Sequence, residues 1–216
     1  MRVLVLGATS AAGPLLLRAG LASIPDCELI IYTRSPGKLA EEFINHSTVH
    51  IHEGLLSDIE TLEKAMTGCS AVLSLIGPVS PHEPDTPLSK TYEQYVFEVM
   101  KKLDIKRIVA VGTLAASDDH DKFAIGQSLL VNVVYWTQTH VYDEEVAIGK
   151  LFKEQEDLDW TLVRAPRLTD GEETETVEGY SGDTGYTLNR AALATWMVKE
   201  LLESKWVKMA PAVANA

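Results

Sequence analysis

The stretch VLVLGATSAAGPLLLRAG, residues 3–20, joins a short apolar run, a turn of small residues between two glycines, and an apolar helical pattern. This order predicts a buried strand that turns directly into a helix. Gly7 would allow the tight turn after the strand, and Gly13 would let the helix pack close to the sheet. Backbone N–H groups of the turn would face an anion at the positive end of the helix dipole. The stretch therefore predicts a site for the pyrophosphate of a dinucleotide, and the alternative is a strand–helix turn without a ligand.

The residues of this turn form the first group of candidate cofactor-binding positions. They are Gly7, Thr9, Ser10, Ala11, Ala12 and Gly13. Ser10 occupies the middle position, where such turns usually have a glycine so that the backbone can approach the phosphates. Serine is small and its hydroxyl can donate a hydrogen bond to a phosphate oxygen, so the turn still fits the ligand.

Apolar strand-like runs alternate with helical patterns along the rest of the chain. Strands are predicted at Arg2–Leu6, Glu28–Thr33, Thr48–His52, Ala71–Leu75, Arg107–Val111 and Thr161–Arg164. Helices are predicted at Gly13–Ser23, Pro36–Ile44, Asp58–Met66, Ser89–Leu103, Tyr142–Gln155 and Arg190–Ser204. This alternation predicts an α/β fold with a doubly wound parallel sheet of the Rossmann type, in a single domain over residues 1–216. Loops at about 78–90, 115–141 and 167–188 follow strand ends and are the expected walls of a substrate pocket.

The end of the second predicted strand indicates which dinucleotide is bound. A site for NAD usually has an acidic residue there, which holds the ribose hydroxyls. The sequence ELIIYTRSPGKL instead places Arg34 at the strand end and Lys38 one helical turn later. Cations are disfavoured at a helix N-terminus, so this pair favours a bound 2′-phosphate and therefore NADP. The alternative is a solvated pair of cations at a helix start.

Composition and charge limit the classes of function. The 216 residues carry a formal net charge of −12, which disfavours direct binding of nucleic acid. We find no apolar segment long enough to cross a membrane, and no signal peptide fits before the first strand, so a cytoplasmic location with reduced Cys27 and Cys69 is expected. His50 and His52 share a strand face without a third ligand nearby in the sequence, so no metal site is predicted.

Three motifs resemble one known family. The Gly7–Gly13 turn resembles the sequence GATGxxG, apart from Ser10, and residues 34–39 resemble an Arg-x-Pro-x-Lys-Leu step. The stretch LDWTLVRAPRLTDG, residues 158–171, resembles the sixth-strand signature, with Ala165 inserted between the usual Arg-Pro pair. Over nearly its whole length the chain resembles an atypical short-chain dehydrogenase/reductase of the NmrA-like, NAD(P)-binding type. This group includes flavin (biliverdin-type) reductases and fungal redox-sensing regulators.

The resemblance implies further contacts to the cofactor. Leu55 and Leu56 would lie beside the adenine, and Ile76 and Gly77 would pass beneath the ribose. Thr113 would lie near the nicotinamide. The sixth-strand signature adds contacts at Arg164, Ala165 and Pro166, with the backbone from Ala165 to Leu168 approaching the carboxamide.

The candidate catalytic residues are Tyr142 and Thr113. Full members of the dehydrogenase class use Tyr-x-x-x-Lys on one helix, where the lysine lowers the pKa of the tyrosine. Tyr142 lies near the tyrosine position, but Val146 follows it where the lysine is expected. Tyr142 is therefore either a proton donor without its lysine or a packed helix tyrosine. The nearby aromatic residues are Phe123, Tyr135 and Trp136, which would stack on a flat substrate, fill a core or form a dimer face.

These features favour an NADPH-dependent oxidoreductase acting on a flat or conjugated small molecule, such as a flavin, a quinone or a natural product. Hydride transfer to such a molecule depends mainly on positioning, and its proton can come from solvent. Two alternatives stay open: an NADP(H)-sensing regulator or scaffold without turnover, and a non-redox pathway enzyme on the same fold. The predicted partners are a small-molecule substrate and either a second copy, through an exposed face on 129–136, or a regulatory protein.

Overall fold

The computed structural model describes residues 1–78, 86–122 and 125–216. Its strands are β1 (Arg2–Leu6), β2 (Glu28–Thr33), β3 (Val49–Glu53), β4 (Ala71–Ser74), β5 (Arg107–Thr113), β6 (Asp159–Ala165), β7 (Arg167–Thr169), β8 (Thr176–Gly179), β9 (Thr187–Asn189) and β10 (Ala212–Asn215). In this part of the chain, eight strands form one sheet in the order β3-β2-β1-β4-β5-β6-β10-β8. All neighbours in it are parallel except β10 and β8, and β7 pairs with β9 in a separate two-stranded sheet.

Helices cover both faces of the sheet. They are α1 (Gly13–Ser23), α2 (Glu41–Ile44), α3 (Ile59–Met66), α4 (Leu88–Thr91), α5 (Glu98–Lys102), α6 (Ile125–Thr137), α7 (Thr139–Lys153) and α8 (Arg190–Glu203), with a π-helical segment (Tyr92–Phe97) joining α4 to α5. Apolar side chains of α1, α2 and α8 form one core with the sheet, and those of α3, the π-helical segment, α5 and α7 form the other. The predicted doubly wound Rossmann-type fold is therefore confirmed. Among the described residues, the helices are too short or too polar to span a bilayer.

The six predicted strands are present, with small shifts at their ends. The predicted helix Pro36–Ile44 is interrupted: a 3-10 turn covers Pro36–Lys38, and α2 begins only at Glu41. Leu39 lies between them in an extended conformation, with its side chain buried in the core. The helical pattern is therefore broken at Leu39, whose side chain joins the core formed with α1 and α8.

The predicted loops contain secondary structure, which corrects those boundaries. The segment 115–141 contains α6 and the start of α7. The apolar run of α6 lacks the periodicity of an amphipathic helix, so the sequence pattern does not predict it. The segment 167–188 contains β7, β8 and β9, which are short polar strands that depend on partners distant in sequence. Most of the loop 78–90 lies outside the described residues.

Candidate cofactor and reaction site

The turn after β1 requires glycine at both of its ends. Gly7 has φ of +79°, in the left-handed region, and a Cβ added there would lie 2.9 Å from the backbone carbon of Leu75. A Cβ added at Gly13 would overlap the carbonyl oxygen of Ala8. Gly7 therefore permits the tight turn, and Gly13 permits the close approach of α1 to that turn.

The same turn leaves backbone donors unused. The N–H of Ser10 donates to the carbonyl of Gly7 at 2.9 Å, and the N–H of Gly13 donates to the carbonyl of Ser10 at 3.0 Å. Within the described chain, no protein acceptor takes the N–H of Ala11 or Ala12. These donors lie at the N-terminus of an 11-residue helix, where the helix dipole favours an anion. The turn, with Thr9 half-buried beside it, fits a dinucleotide pyrophosphate.

Two exposed cations follow β2. Arg34 and Lys38 are both exposed, and neither forms an ion pair with any carboxylate in the part of the chain that the structure describes. Between them, the N–H of Ser35 donates to Oγ1 of Thr33 at 3.2 Å, which fixes the backbone after the strand. Because β2 lies next to β1, the two cations are on the side of the sheet edge that borders the glycine turn. Their side chains are free to hold a phosphate group.

The residues after β3 present an apolar surface at the same edge. Leu55 is 58% exposed, and its carbonyl accepts a hydrogen bond from the Tyr32 hydroxyl at 2.7 Å. Leu56 is partly buried against the core. Burial raises the pKa of Tyr32 to about 12, and the nearby charge of Asp58 adds to the shift, so Tyr32 stays protonated as a donor. Tyr32 thus fixes the backbone at Leu55, and the contact of Leu55 with an adenine ring stays a prediction.

The carboxyl ends of β4 and β5 adjoin one another at the centre of the edge. Ile76 and Gly77 follow β4, and Thr113 ends β5, which pairs with β4 in parallel. Ile76 donates its N–H to Oγ of Ser74 at 3.4 Å. Oγ1 of Thr113 accepts the N–H of Ala115 at 3.3 Å, so its hydroxyl is held close to its own backbone.

A buried carboxyl group closes this part of the site. Glu145 of α7 is 3% exposed, and its Oε2 accepts the N–H of Thr113 at 2.9 Å. A Cβ added at Gly77 would lie 4.0 Å from its Oε1, and a Cβ added at Gly112 would lie 3.4 Å from Oε2. Burial raises the pKa of Glu145 from 4.5 to about 7; hydrogen bonds from Thr113 oppose this shift and the charge of Glu144 adds to it. Glu145 belongs to none of the sequence motifs, although it lies three positions after Tyr142.

The raised pKa of Glu145 predicts a pH-dependent change in stability for Glu145→Gln. As the pH rises from the ordinary pKa of 4.5 toward 7, the unfolded chain loses the proton while the folded protein keeps it. The free energy of unfolding of the wild type therefore falls over this range, and glutamine removes the loss. We expect the variant to gain stability relative to the wild type between about pH 5 and about pH 8, approaching about 3 kcal/mol. Urea unfolding at both pH values measures this gain. The account would be contradicted if the variant and the wild type differed in free energy of unfolding by the same amount at the two pH values.

Tyr142 lies on α7, and no lysine or arginine of the described residues hydrogen-bonds to its hydroxyl. Its half-buried ring contacts the ring of Tyr135 edge-on, with centroids 5.1 Å apart. Val146, four residues later, is 40% exposed. A role for Tyr142 as proton donor stays a prediction, while Glu145 is the ionisable side chain of α7 that contacts the strand ends.

The side chain of Arg164 has a structural role, and a contact of this position with the cofactor stays a prediction. It is 0% exposed, and both terminal nitrogens of its guanidinium donate to the carboxylate of Asp121 at 2.7 Å. Its remaining donors reach the carbonyls of Ala210 at 2.6 Å and Ala116 at 3.0 Å. Each of the three guanidinium nitrogens therefore has a protein partner. Of the other predicted positions in this motif, Ala165 is buried at the end of β6 beside Thr113, and Pro166 is half-buried.

A cavity of about 460 Å³ lies beside the end of β5. Its lining residues are Leu114, Asp121, Lys122, Gln127, Val131, Asn132 and Ser181. Gln127 is buried, accepts the Ser181 hydroxyl at 2.6 Å and donates to the carbonyl of Thr184 at 2.9 Å, so it joins two walls. The segments that follow β5 and β6 thus line this cavity, and its use as a substrate pocket stays a prediction. Of the predicted aromatic residues, Phe123 lies outside the described residues, whereas Tyr135 and Trp136 are exposed on α6.

Along the sheet edge, the candidate residues follow the order of the strands. Arg34 follows β2, the glycine turn follows β1, Gly77 follows β4, Thr113 ends β5 and Ala165 ends β6. A model of the family described as NAD(P)H-binding matches residues 7–204, and the chain belongs to this family. The predicted relation to atypical short-chain dehydrogenases/reductases is confirmed at the level of this NAD(P)H-binding family. The narrower NmrA-like assignment stays a prediction.

Individual proteins resemble the chain as well. A short-chain dehydrogenase/reductase from Veillonella parvula, solved in complex with NADP, has a TM-score of 0.78 at 17% identity, covering 99% of this chain and 94% of that one. A Rossmann-fold NAD(P)-binding family protein from Shigella flexneri has a TM-score of 0.74 at 16% identity, covering 99% and 93%. Oxidoreductase aflX from Aspergillus parasiticus is 31% identical over 105 residues, which span 47% of this chain and 39% of aflX.

Proposed function

We propose that the protein is an NADPH-dependent oxidoreductase that acts on a flat or conjugated small molecule. The observation that carries this proposal is the pair of exposed cations after β2, Arg34 and Lys38, which no described carboxylate neutralises. A planar guanidinium and a second cation suit a 2′-phosphate, whereas an unphosphorylated ribose is usually held by an acidic residue. The preference for NADPH over NADH follows from this difference in charge.

Each part of the sheet edge would hold one part of the cofactor. The N–H groups of Ala11 and Ala12 would bind the pyrophosphate, and Leu55 would pack against the adenine. Gly77 would leave room for the ribose because it has no side chain. When bound, the nicotinamide would supply a hydride, and the protein would contribute orientation and exclusion of water.

The substrate class is inferred from the cavity and from the residues around it. A volume of about 460 Å³ is in the range of small-molecule sites. Apolar Leu114 and Val131 line the cavity together with polar Gln127, and the rings of Tyr135 and Tyr142 lie on the two helices that follow β5. A conjugated ring system accepts a hydride without the Tyr–Lys pair that a simple carbonyl needs. The name oxidoreductase aflX and the NADP complex of the Veillonella protein support the same class of reaction.

A turnover assay tests this proposal. We expect the purified protein to oxidise NADPH in the presence of at least one quinone or flavin, with a kcat/KM for NADPH at least about tenfold above that for NADH. The absorbance of the reduced nicotinamide gives the rate directly. The proposal is wrong if NADPH is stable with every acceptor at protein concentrations that saturate binding.

An NADP(H)-sensing regulator is the second candidate, and one feature of α6 favours it. Trp136 is 79% exposed and Val133 is 58% exposed on this helix, which also lines the cavity through Gln127 and Val131. Large apolar side chains at a surface are typical of contacts with another protein or a second copy. This candidate predicts tight NADPH binding without turnover, together with an association state that changes when NADPH is added. Sedimentation velocity with and without the cofactor measures that change.

A further inference from the structure

We propose that the Glu145 carboxyl group faces the nicotinamide end of the site and exchanges a proton there, in place of the missing Tyr–Lys pair. This inference rests on the proposed function, because it assumes that NADP(H) binds along the sheet edge. It assigns the proton of the reaction to a group of this chain rather than to solvent.

Position is the first support for this role. Glu145 lies between the ends of β4 and β5, where Oε2 accepts the N–H of Thr113 and Oε1 faces Gly77. These strand ends carry three of the positions expected beneath the ribose and beside the nicotinamide: Ile76, Gly77 and Thr113. The carboxyl group is therefore at the centre of the edge, one strand away from the glycine turn.

Lack of a counter-charge is the second support. Glu145 is 3% exposed and forms no ion pair with any residue that the structure describes. Among the described residues, the titratable groups near it are Glu144 on the same helix, whose charge disfavours its ionised form, and Tyr92 on the π-helical segment, which is uncharged at neutral pH. The described residues at the ends of β4 and β5, 75–78 and 113–117, are uncharged. Burial raises the pKa of Glu145 to about 7, so both protonation states are accessible near neutral pH.

The hydroxyl group of Tyr92, which lies nearby, releases its proton less readily than the carboxyl group of Glu145. Tyr92 is buried, and its hydroxyl lies 2.5 Å from Oγ of Ser74 and 3.4 Å from the carbonyl of Ile76. Burial raises the pKa of Tyr92 well above its ordinary value. Tyr92 therefore holds its proton at neutral pH, and Glu145 is the group here whose proton can be released.

The proposed step balances in atoms and charge. As the substrate accepts a hydride from the bound reduced cofactor, the O–H bond of Glu145 breaks and its proton bonds to an oxygen or nitrogen of the substrate. The bonding electron pair stays on Glu145 as a carboxylate, whose negative charge then lies near the positive charge of the oxidised nicotinamide. A proton from solvent restores the carboxylic acid.

Cofactor binding at several pH values tests the inference without turnover. A carboxylate near the nicotinamide favours the cationic oxidised ring, so the affinity for NADP⁺ relative to NADPH should rise by about tenfold between about pH 6 and about pH 8. Titrations of both forms of the cofactor give this ratio. Because both forms of the cofactor carry the same phosphates, the contribution of Arg34 and Lys38 to binding cancels in the ratio of the two affinities.

Matched variants distinguish proton exchange from a merely structural role. Glu145→Gln keeps an acceptor for the N–H of Thr113 but does not titrate, so the ratio should become independent of pH. Glu144→Gln removes the same charge one residue away, where the carboxylate accepts the N–H of Ser89 at 3.1 Å. This variant should keep a pH-dependent ratio, with its midpoint moved to slightly lower pH because the charge of Glu144 raises the pKa of Glu145. A constant ratio in the wild type, or an unchanged dependence in Glu145→Gln, would overturn this inference alone. Failure of both cofactors to bind would overturn the proposed function as well.

Discussion

Replacing Gly13 with alanine is expected to destabilise the protein by on the order of 4 kcal/mol and to abolish cofactor binding. The added Cβ would overlap the carbonyl oxygen of Ala8, which is backbone and cannot rotate away as a side chain could. To relieve the overlap, α1 must move away from the turn after β1. That movement displaces the N–H groups of Ala11 and Ala12, which are the donors proposed for the pyrophosphate.

Gly37→Ala is the matched control for this prediction. Gly37 lies beside the same proposed site, in the 3-10 turn after Arg34, and a Cβ added there has no atom within 4 Å. We expect this variant to change the free energy of unfolding by less than about 0.5 kcal/mol and to bind NADPH normally. Thermal unfolding and NADPH titration measure both effects. Equal behaviour of the two alanine variants would contradict the close packing of α1 against the turn.

Asp121→Ala is the second substitution with a large expected effect. It leaves the fully buried guanidinium of Arg164 without its carboxylate, which costs about 3–5 kcal/mol in typical proteins. Asp121 also accepts the N–H of Asp118 at 2.8 Å and the N–H of Ser181 at 2.9 Å, so the two cavity walls lose a shared anchor. We therefore expect both a lower unfolding midpoint and weaker substrate binding.

The Asp170–Arg190 pair provides the control for Asp121→Ala. Asp170 is 95% exposed, and its contact to Arg190 at 2.6 Å is largely screened by solvent. Asp170→Ala should therefore cost less than about 1 kcal/mol.

Burial opposes ionisation of Asp121, but the hydrogen bonds and charge of Arg164 lower its pKa overall. The stabilisation by the ionised Asp121 is thus present above the ordinary pKa of 3.8 and is lost as the pH falls through the lowered pKa, so the penalty of Asp121→Ala should shrink in acid.

The parts of the fold that the sequence predicts correctly are those with strong local signals. The strand β1, the turn between Gly7 and Gly13 and the helix α1 follow from apolar patterning and glycine placement alone. Strands β7 to β10 were missed because they are short and are stabilised by pairing with segments far away in sequence. The helix α6 was missed because its apolar residues do not follow one clear helical face.

The residues of the candidate site also fall into those that the sequence predicts and those that it does not. Backbone positions such as Gly7 and Gly77 are predictable because they depend on the chain path of the fold. Arg164 belongs to the most specific motif of the sequence, yet its partner Asp121 lies in an acidic stretch where nothing distinguishes it from Asp118 and Asp119. The motif alone could not indicate that the arginine is buried in a structural ion pair.

Glu145 could have been found from the sequence. The buried residues of α7 include Ile148, Gly149 and Phe152, so Glu145 continues the same helical face by one turn. A carboxyl group on the buried face of a helix is unusual and indicates either a partner or a function. The Tyr-x-x-x-Lys pattern, by contrast, points to Val146, which cannot ionise.

The most direct test of the central claim is calorimetric titration of the wild type and Arg34→Ala with NADPH and with NADH. We expect the wild type to prefer NADPH, and the variant to lose about 1.5–3 kcal/mol of NADPH binding, more than tenfold in Kd, with no change for NADH. Arg18→Ala removes an exposed arginine of α1 that pairs with Glu42 and serves as the charge-matched control. Equal affinity for the two cofactors in the wild type, or an Arg34→Ala variant that binds NADPH as tightly as the wild type does, would contradict the assignment of Arg34 to the 2′-phosphate.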